Sequence, residues 1–450
     1  MSTAIRKLSF YREPEDIFRR FRKEPMAVFL DSSLENSLGR YSIIGLYPYL
    51  CFRDEDGICY CNNRRTEEKL EWLLHKYLKE NKEANPTSLP MVSGAVGYLS
   101  YDYGRKFEGI PTRHEKKIHM PEAMFCFYDV YIIGDLEEKT LFVTARGETG
   151  SPEEVLDRVE KEIEKASHRR GCQRQTKLAE FQPNFTKDGY KQAIEEMMEY
   201  MEEGHIYVAN MTQQLTVESK KNPYEVFSYL RRHNPSPFGS YMNYGDFQIV
   251  SASVERFFKI RDGIIETRPI KGTRKRGETL REDEALRLEL ENSEKDKSEL
   301  LMIVDLERND LNRICEPGSV EVTELFKVEE YATVFQLVSA VQGRLKEGLD
   351  GMDVIPAVFP GGSITGAPKI RAMEIIDELE HDRRGLYTGS IGYLSFSGDC
   401  DLNIVIRTAV YEDGRYHLGV GGGITYESDV EFEYEETLQK AKAILEAVYE

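Results

Sequence analysis

Short runs of alternating apolar and polar residues fill the first part of the chain, and longer helical patterns join them further on. Runs rich in Val, Ile, Tyr and Phe predict strands at residues 27–30, 41–44, 93–101 and 124–133. Apolar residues at helical spacing predict helices over residues 66–80, 152–167 and 186–204, the last with Thr186 as its N-cap. The pattern by itself therefore indicates a mixture of strands and helices.

The apolar periodicity is interrupted once by a basic, polar stretch. This change in composition predicts a linker over residues 168–184, between an N-terminal lobe of residues 1–167 and a C-terminal domain of residues 185–450. Across that boundary, Gly-Ala-Val-Gly-Tyr-Leu-Ser-Tyr at 94–101 resembles Gly-Ser-Ile-Gly-Tyr-Leu-Ser-Phe at 389–396. We expect these two octads to be equivalent strands, one in each lobe.

Composition narrows the function classes. The 450 residues are 40% hydrophobic, enough for a large core, and the formal net charge of −19 with a pI near 5.1 argues against a nucleic-acid partner. An anionic substrate would need a local positive site. The N-terminus lacks an apolar signal core, and no apolar run reaches the roughly 18 residues of a membrane span. We expect a cytoplasmic protein without membrane association.

The seven cysteines are odd in number and include no Cys-x-x-Cys pair. Cys59 and Cys61 stand too close together in the sequence for a usual zinc site. We therefore expect reduced thiols in a cytosolic protein rather than a disulfide framework.

Residues 266–273, Glu-Thr-Arg-Pro-Ile-Lys-Gly-Thr, hold the first candidate for chemistry. They follow an apolar strand pattern, and Pro269 and Gly272 predict a tight bend that carries Lys271. A lysine in a fixed position acts as a nucleophile or as a fixed positive charge. Like charge nearby, together with burial, would favour the neutral amine, although composition alone favours a solvated basic turn. The neighbouring cations are Arg268, Arg274, Lys275 and Arg276.

Two pairs of carboxylates stand three residues apart on helical patterns: Asp296 with Glu299, and Glu433 with Glu436 on the last helix. Residues at this spacing share one helix face, so each pair presents its carboxylates together. Two facing pairs would suit a hard divalent cation such as Mg2+, which prefers oxygen ligands. The alternative is that these residues face water and complement the dipole at the start of their helices.

Five motifs occur in order along the second half of the chain. They are Ser-Ala-Ser-Val-Glu-Arg-Phe at 251–257, Pro-Ile-Lys-Gly-Thr at 269–273, Ile-Val-Asp-Leu-Glu-Arg-Asn-Asp at 303–310, Gly-Ser-Ile-Thr-Gly-Ala-Pro-Lys at 362–369 and Gly-Gly-Gly-Ile at 421–424. In these motifs, and in its N-terminal part, the chain resembles the chorismate-binding enzyme family. The resemblance implies an α+β fold in which two lobes of mostly antiparallel sheet pack as a sandwich with helices outside, as in anthranilate synthase component I. It also implies that the active site lies in the C-terminal domain.

The resemblance implies a site for chorismate, which is a dianion. In the family, the positions that match Glu299 and Glu436 bind Mg2+, and those that match Asp296 and Glu433 lie close by. Arg407, on a strand predicted over 403–408, offers a guanidinium to a carboxylate. The glycine run at 421–423 offers backbone N–H groups unless it forms a plain turn. The substrate positions carried over from the family are Thr365, Gly366, Lys369, Tyr393, Arg407, Gly421, Gly422 and Gly423.

Lys271 and Glu255 carry the chemistry that the resemblance implies. Anthranilate synthases usually have alanine at the position of Lys271, whereas aminodeoxychorismate synthases have lysine. The resemblance therefore implies aminodeoxychorismate synthase activity. Glu255 would protonate the departing C4 hydroxyl group while Lys271 attacks C2 to form a covalent adduct. Ammonia would then add at C4 to give 4-amino-4-deoxychorismate for 4-aminobenzoate and folate synthesis. For Glu255, a salt bridge to Arg256 or to the basic turn around Lys271 is the alternative.

The implied partner is a separate glutamine amidotransferase (glutaminase) subunit that supplies ammonia, because no cysteine of this chain lies in a recognisable nucleophile elbow. Two competing functions remain. One is an anthranilate synthase component I, which converts chorismate to anthranilate and pyruvate for tryptophan biosynthesis. The other is a tryptophan-sensing module without chemistry.

Two positions depart from the family pattern. Gln336 replaces the histidine of most members and cannot transfer protons near neutral pH, which weakens the case for pyruvate elimination. Val208 replaces a glutamine of amino-transferring relatives and the lysine base of isochorismate synthases. Because valine cannot activate water, the isochorismate reaction loses its base.

Three segments resemble those that form a tryptophan pocket in the family: Leu-Asp-Ser-Ser at 30–33, Arg-Tyr-Ser-Ile at 40–43 and Asn-Pro-Ser-Pro-Phe-Gly at 234–239. The positions carried over are Ser32, Arg40, Tyr41, Ser42, Ile43, Pro237, Phe238 and Gly239. The alternative is that these residues are ordinary strand ends and a proline turn. If tryptophan binds, the sequence is compatible with an inhibitory role and with a purely structural one.

Overall fold

The computed structural model of the protein describes residues 3–34, 36, 38–168, 174, 176–331 and 334–450. Much of the predicted linker, including Cys172, lies outside the described residues. In the described ranges, no helix combines the length and the apolar character that crossing a membrane requires.

The N-terminal part of the chain begins and ends with elements that lie against each other. Its strands are β1 (Ala4–Lys7), β2 (Val28–Asp31), β3 (Tyr41–Glu55), β4 (Ile58–Cys61), β5 (Arg64–Thr66), β6 (Gly94–Leu99), β7 (Ala123–Asp135) and β8 (Thr140–Ala145). Its helices are α1 (Pro14–Phe21), α2 (Leu70–Glu80), α3 (Tyr101–Arg105) and α4 (Pro152–Glu164).

The remainder of the chain alternates strands with longer helices. Its strands are β9 (Gln182–Pro183), β10 (Val208–Glu218), β11 (Phe238–Asn243), β12 (Phe247–Ser253), β13 (Arg256–Arg261), β14 (Ile264–Thr267), β15 (Ile270–Lys275), β16 (Glu321–Glu330), β17 (Val334–Arg344), β18 (Gly366–Ala367), β19 (Ser390–Ser395), β20 (Cys400–Asn403), β21 (Thr408–Glu412) and β22 (Arg415–Ile424). Its helices are α5 (Lys187–Glu202), α6 (Pro223–His233), α7 (Leu280–Asn292), α8 (Glu294–Ile314), α9 (Gly351–Val358), α10 (Lys369–Leu379) and α11 (Val430–Val448), with a 3-10 turn at Gly362–Ile364.

These strands form two antiparallel sheets that share the long strands β3 and β7. The first sheet runs in the order β1-β8-β7-β3-β2-β11-β12-β21-β22-β10. The second sheet runs in the order β5-β4-β3-β7-β6-β19-β20-β13-β14-β17-β16. The short strands β9 and β18 both pair with the edge of β10 that faces away from β22. Strand β15 pairs with β17 beyond the end of β14.

The two sheets pack face to face around an apolar core. Val28 and Ile249 of the first sheet meet Tyr98 and Ile391 of the second in this core, and all four are buried. Helices α1, α4, α6 and α11 cover the outer face of the first sheet, and α2, α8 and α9 cover the outer face of the second. Helices α5 and α10 pack on β10. The predicted sandwich of antiparallel sheets with helices outside is confirmed.

Each sheet contains strands from both parts of the chain, because β2 pairs with β11 and β6 pairs with β19. The two octads are the strands β6 and β19 with the residues that follow them. They are adjacent antiparallel strands of one sheet, with Val96 opposite Tyr393 and Gly97 opposite Gly392. They are thus direct neighbours, whereas the sequence predicted one strand in each of two separate lobes.

Most predicted elements are present, with two differences. Helix α2 begins at Leu70 rather than at residue 66, because residues 64–66 pair with β4 as strand β5. The strand predicted over residues 403–408 is wrong. Strand β20 ends at Asn403 in the second sheet and β21 begins at Thr408 in the first sheet, so the residues between them must cross from one sheet to the other.

Lys271 lies in strand β15, next to a β-bulge, rather than on the tight bend predicted from the sequence. Lys271 pairs with Leu337 and Thr273 pairs with Gln336, which leaves Gly272 as the extra residue. Gly272 has a φ of +73°, the left-handed conformation that glycine adopts at this type of bulge. The bulge therefore fixes the direction of the Lys271 side chain.

We predict that Gly272→Ala destabilises the fold by about 3 kcal/mol, from left-handed strain and overpacking. A Cβ atom at residue 272 would lie 2.7 Å from the Asp296 Cγ and 2.8 Å from the Leu290 Cδ1. Gly263→Ala is the matched control, because Gly263 has a φ of +76° but open space around it. Gly263→Ala should lower the free energy of unfolding by only about 1 kcal/mol. Urea unfolding of both variants measures the difference, and equal losses would contradict the steric role.

Candidate active site

The largest candidate site is a cavity of about 630 Å³ between helices α8 and α11 and the strands β15 and β22. It contains most of the residues predicted for chemistry and for a metal. The predicted residues that line it are Glu255, Lys271, Asp296, Glu299, Arg407, Gly421, Gly422, Gly423, Glu433 and Glu436. Residues from three of the five motifs, both carboxylate pairs and Arg407 therefore meet in one place.

The cavity lies where two neighbouring strand connections cross between the sheets. Glu255 lies in the link from β12 in the first sheet to β13 in the second, and Arg407 lies in the reverse link from β20 to β21. The Ile404 N–H donates to the Glu255 carbonyl oxygen, and the Ala252 N–H donates to the Arg407 carbonyl oxygen, each at 3.0 Å. The crossing thus brings an acid and a cation to the same wall.

Two carboxylate pairs face each other across the cavity from different helices. Asp296 and Glu299 project from α8, and Glu433 and Glu436 project from α11. A Cβ atom at Gly422 would lie 3.1 Å from the Oε2 atoms of both Glu433 and Glu436, so these carboxylates lie directly against the glycine strand.

Burial and mutual repulsion raise the pKa values of two of these acids. The pKa of Glu299 is raised by burial and further by Asp296 and Glu436, and the pKa of Glu433 is raised by burial and by Glu436. Cations already balance part of the charge: Arg274 pairs with Asp296 at 3.0 Å, and Lys440 pairs with Glu436 at 2.5 Å. The remaining repulsion is only partly compensated, and a divalent cation would relieve it. In the part of the chain that the structure describes, however, the oxygens of these acids are not gathered closely enough to form a ready coordination shell.

Lys271 reaches from β15 to the opposite strand. A Cβ atom at Gly423 would lie 3.2 Å from the Lys271 Nζ, so the amine lies against β22 inside the cavity. Its positive charge lowers the pKa values of Glu255 and Glu299 against the upward effect of burial. The expected crowding by like charge is not observed, because the neighbouring arginines are ion-paired. The pairs are Arg268 with Glu329, Arg274 with Glu289 and Arg276 with Asp283.

The surroundings of Glu255 favour its neutral form more than water does. Burial raises the pKa of Glu255, while Lys271 and a 2.9 Å hydrogen bond donated by the Ser363 hydroxyl group act in the opposite direction. The alternative salt bridge to Arg256 is wrong. Arg256 instead pairs with Asp401 at 2.9 Å and with Glu266 at 3.3 Å.

The glycine run forms an extended strand with one open edge, so the plain-turn alternative is wrong. Gly421 pairs with Thr212 and Gly423 pairs with Asn210. The Thr212 N–H donates to Glu380 and the Asn210 N–H donates to Thr365, so both N–H groups point away from β22. In an antiparallel ladder, the polar groups of the facing residues then also point outward. The N–H groups of Gly421 and Gly423 therefore lie on the edge that faces the cavity, where the Gly421 carbonyl oxygen accepts from Lys440 at 2.9 Å.

Arg407 is an isolated cation in the cavity wall. It has a φ of +49°, and its side chain is exposed in the cavity. Among the residues that the structure describes, no carboxylate lies within salt-bridge distance of its guanidinium group. An unpaired guanidinium and two free N–H groups make this wall suitable for an anion.

The structure does not bring four of the predicted substrate residues to the cavity. The Thr365 hydroxyl group is buried and donates to the Gly361 carbonyl oxygen at 2.9 Å, and Gly366 pairs with Ala209 as part of β18. The Lys369 Nζ pairs with Asp310 at 3.3 Å, outside the cavity wall. The remaining residue, Tyr393, lines a different pocket between the sheets.

Other cavity residues were missed from the sequence. They are Asn210, Thr273, Ser363, Tyr387 and Lys440. Thr273 and Ser363 belong to motifs already identified, so the motifs contained a usable signal for them. Tyr387 precedes β19, and Tyr393 lies within it. No periodicity in the sequence distinguishes the tyrosine that faces the cavity from the other. Lys440 follows Glu436 at helical spacing and is its ion-pair partner.

The two departures from the family pattern lie in different surroundings. Gln336 lines the cavity next to Thr273 on the neighbouring strand. Val208 is buried opposite Ala367, outside the cavity wall, whereas Asn210 of the same strand lines it. The substitution at Gln336 therefore changes the cavity chemistry directly.

A second pocket lies between the strand ends of the two sheets, on the far side of β20 from the cavity. Of the residues predicted for tryptophan, its lining includes Ser32, Tyr41, Ile43, Pro237, Phe238 and Gly239, together with Tyr393. Arg40 instead pairs with Asp135 at 2.8 Å, and the buried Ser42 donates to Asp31 at 2.9 Å. These two residues support the pocket from behind.

Comparison with known proteins agrees with this geometry. The family model described as "chorismate binding enzyme" matches residues 34–446. An aminodeoxychorismate synthase component 1 from Bacillus subtilis (strain 168) is 39% identical over 423 residues, covering 91% of this chain and 89% of that protein. An anthranilate synthase component 1 from Acetivibrio thermocellus is 36% identical over 468 residues, covering 97% and 93%. The crystal structure of anthranilate synthase component I from Streptococcus pneumoniae TIGR4 has a TM-score of 0.83 and 33% identity, covering 92% of this chain and 93% of that one. The chain therefore belongs to the family of chorismate-binding enzymes.

Proposed function

We propose that this chorismate-utilising enzyme aminates chorismate at C4, the activity of an aminodeoxychorismate synthase component I. The observation that carries the proposal is the Lys271 amine, which extends into the cavity where its charge acts on both Glu255 and Glu299. A nucleophile beside a protonated acid is the arrangement that displacement of a hydroxyl group requires.

The proposed reaction has two displacements. The Lys271 amine, after losing its proton, forms a bond to C2, the two conjugated ring double bonds each shift by one position, and the C4–O bond breaks. The hydroxyl group takes the proton of Glu255 and leaves as water. Ammonia then forms a bond to C4, the double bonds shift back, and the C2–N bond to Lys271 breaks. This step restores the amine and gives 4-amino-4-deoxychorismate, whose new ammonium group returns a proton to Glu255. Covalent catalysis of this kind replaces one difficult step by two easier ones.

Binding of the substrate dianion is assigned to two regions of the cavity. Glu299 and Glu436 would hold Mg2+, with Asp296 and Glu433 beside them, and bound Mg2+ would neutralise the ring carboxylate. Arg407 and the free N–H groups of the glycine strand would bind the enolpyruvyl carboxylate.

The ammonia would come from a separate glutaminase subunit. The relatives that align with this chain over most of their length are named as component 1 of a synthase. Such names imply a second component. In the proposed reaction, the partner delivers ammonia to the C4 side of the bound substrate.

Anthranilate synthesis is the second candidate, because relatives of both kinds match at 39% and 36% identity over most of the chain. That reaction aminates C2 and eliminates pyruvate. Lys271 in the cavity disfavours it, since the amine occupies the face where ammonia would approach C2. Gln336 also disfavours it, since an amide in the wall cannot transfer the proton that elimination releases.

The second pocket is our proposed site for tryptophan. Apolar walls from Ile43, Pro237 and Phe238 suit an indole ring. The Asp31 carboxylate in the same wall is already engaged by Arg231 and Ser42. Whether a bound tryptophan changes turnover would be tested separately, by adding it to the assays described below.

Product identification tests the proposed function. Purified chain with chorismate, Mg2+ and ammonia should form 4-aminobenzoate only when a lyase that removes pyruvate from aminodeoxychorismate is added.

We predict that Lys271→Ala lowers the rate of 4-aminobenzoate formation at least about 100-fold, because the nucleophile is lost. Intact mass spectrometry of quenched reactions should detect a covalent adduct in the wild type alone, with an added mass equal to chorismate minus one water. Lys275→Ala, an exposed lysine of the same strand, is the matched control. Fluorescent anthranilate from the wild type, or an equal adduct in Lys271→Ala, would contradict the proposal.

We predict that Glu436→Gln lowers Mg2+ affinity at least about 10-fold, because a carboxylate ligand is lost and Lys440 loses its partner. Isothermal titration calorimetry with MgCl2 measures the change. Glu435→Gln is the control on the same helix, since Glu435 is exposed and pairs with Lys187 at 3.3 Å. Equal affinities for the two variants would argue against the assigned ligand set.

We predict that Ser363→Ala moves the alkaline limb of kcat/KM to higher pH by about half a unit. The Ser363 hydroxyl group stabilises the charged carboxylate of Glu255, so its removal raises the pKa of Glu255 further. Glu255 donates its proton only below that pKa, and activity is lost as pH rises through it. Ser428→Ala is the control, because Ser428 donates to Glu433 at 2.8 Å instead. A limb that stays in place, or moves to lower pH, would exclude Glu255 as the acid.

A further inference from the structure

Two buried cysteines face each other across the strands that the sheets share. Cys51 on β3 is directly opposite Cys126 on β7 in the antiparallel register. Their Sγ atoms are 2.8 Å apart, closer than ordinary van der Waals contact between sulfur atoms. Both side chains belong to the core between the two sheets. This pair takes no part in the cavity or in the second pocket.

The backbone around this pair has the geometry that a cross-strand disulfide needs. The Cys51 N–H donates to the Asn62 Oδ1 at 2.8 Å, and the Cys51 carbonyl oxygen accepts from the Asn62 N–H at 2.6 Å. Both polar groups of Cys51 therefore point toward β4 and away from β7. Cys51 and Cys126 are a non-hydrogen-bonded pair, the type in which Cα atoms are about 4.5 Å apart and side chains are closest. A disulfide spans Cα distances of about 4.4–6.8 Å, so it requires no movement of the strands.

We propose that Cys51 and Cys126 are a site of reversible disulfide formation. One thiol, after losing its proton, attacks a low-molecular-weight disulfide such as oxidised glutathione, and one glutathione leaves as a thiol. The second cysteine loses its proton and attacks the mixed disulfide. The S–S bond forms, and the second glutathione leaves. The protein loses two protons and two electrons, and the oxidant takes them up as it is reduced to two thiols.

The other described cysteines lack this arrangement. Cys59 and Cys61 lie on the same strand, two residues apart, where their backbone prevents a normal bridge. Cys59, Cys315 and Cys400 stand opposite Asp54, Leu345 and Leu394 in their strand pairings, so none of them faces another cysteine directly. The register should therefore make oxidation selective for one pair.

Burial also makes the reaction of the native pair slow, because burial raises the pKa of Cys126 well above its ordinary value. The bridge would close a loop between residues 75 positions apart and join the two strands common to both sheets. By restricting the unfolded chain, it should raise the Tm by roughly 5 °C. Neither cysteine lines the cavity, so we expect unchanged chorismate turnover.

The test uses the full chain, incubated with oxidised glutathione in native buffer and in urea just below the unfolding transition. We expect intact mass to fall by about 2 Da, and trypsin digestion to join the peptides 41–53 and 118–139, each of which contains one cysteine. Dithiothreitol should reverse both changes and the rise in Tm.

Cys51→Ser and Cys126→Ser should abolish the linked peptide and the Tm rise, while Cys59→Ser should retain both. If a variant folds poorly, peptide mapping of the wild type still decides the question. A chain that keeps all its thiols under both conditions would overturn the proposal. So would a linked peptide from any other pair, or a stable glutathione adduct without a bridge.

Discussion

The site depends on one geometric constraint: neighbouring strands must leave one sheet and enter the other at the same level of the sandwich. The links β12–β13 and β20–β21 cross in opposite directions and are hydrogen-bonded to each other. Residues in such links cannot continue either ladder, so their side chains are free to face the space between the layers. Glu255 and Arg407 occupy these links, which explains how two residues far apart in the sequence reach one wall.

Charge balance is the second constraint. Carboxylates from the crossing and from two helices point into one cavity, and burial raises the pKa values of several of them. Lys271 and Arg274 of β15 and Lys440 of α11 offset part of this repulsion. The cavity therefore joins a group of acids to a wall that carries an unpaired guanidinium and free N–H groups, and the proposed ligand, a substrate dianion with Mg2+, would complement both.

The sequence allowed the parts of the site that depend on local spacing to be predicted. Carboxylates at helical spacing, such as Glu433 and Glu436, had to share a face, and the motif around Lys271 fixed its neighbours. Predictions failed where the tertiary arrangement decides which way a side chain points. Arg407 was assigned to a strand because Ile and Val precede it, yet those apolar residues are buried in a crossing. Tyr393 and Tyr387 are chemically alike, and only the packing of β19 directs one into the core and the other into the cavity.

The paired octads carry a consequence for the symmetry of the molecule. Gly97 and Gly392 hold the same place in the two octads and are directly opposite each other, and Val96 with Tyr393 is matched by Tyr98 with Ile391. At both glycines a Cβ atom would lie 2.0 Å from a carbonyl oxygen of the next strand, that of Met124 or of Asp401. A local dyad therefore passes between the glycines, normal to the sheet. The two strands are related in the same way as the matching strands of a symmetric homodimer interface, although both belong to one polypeptide chain.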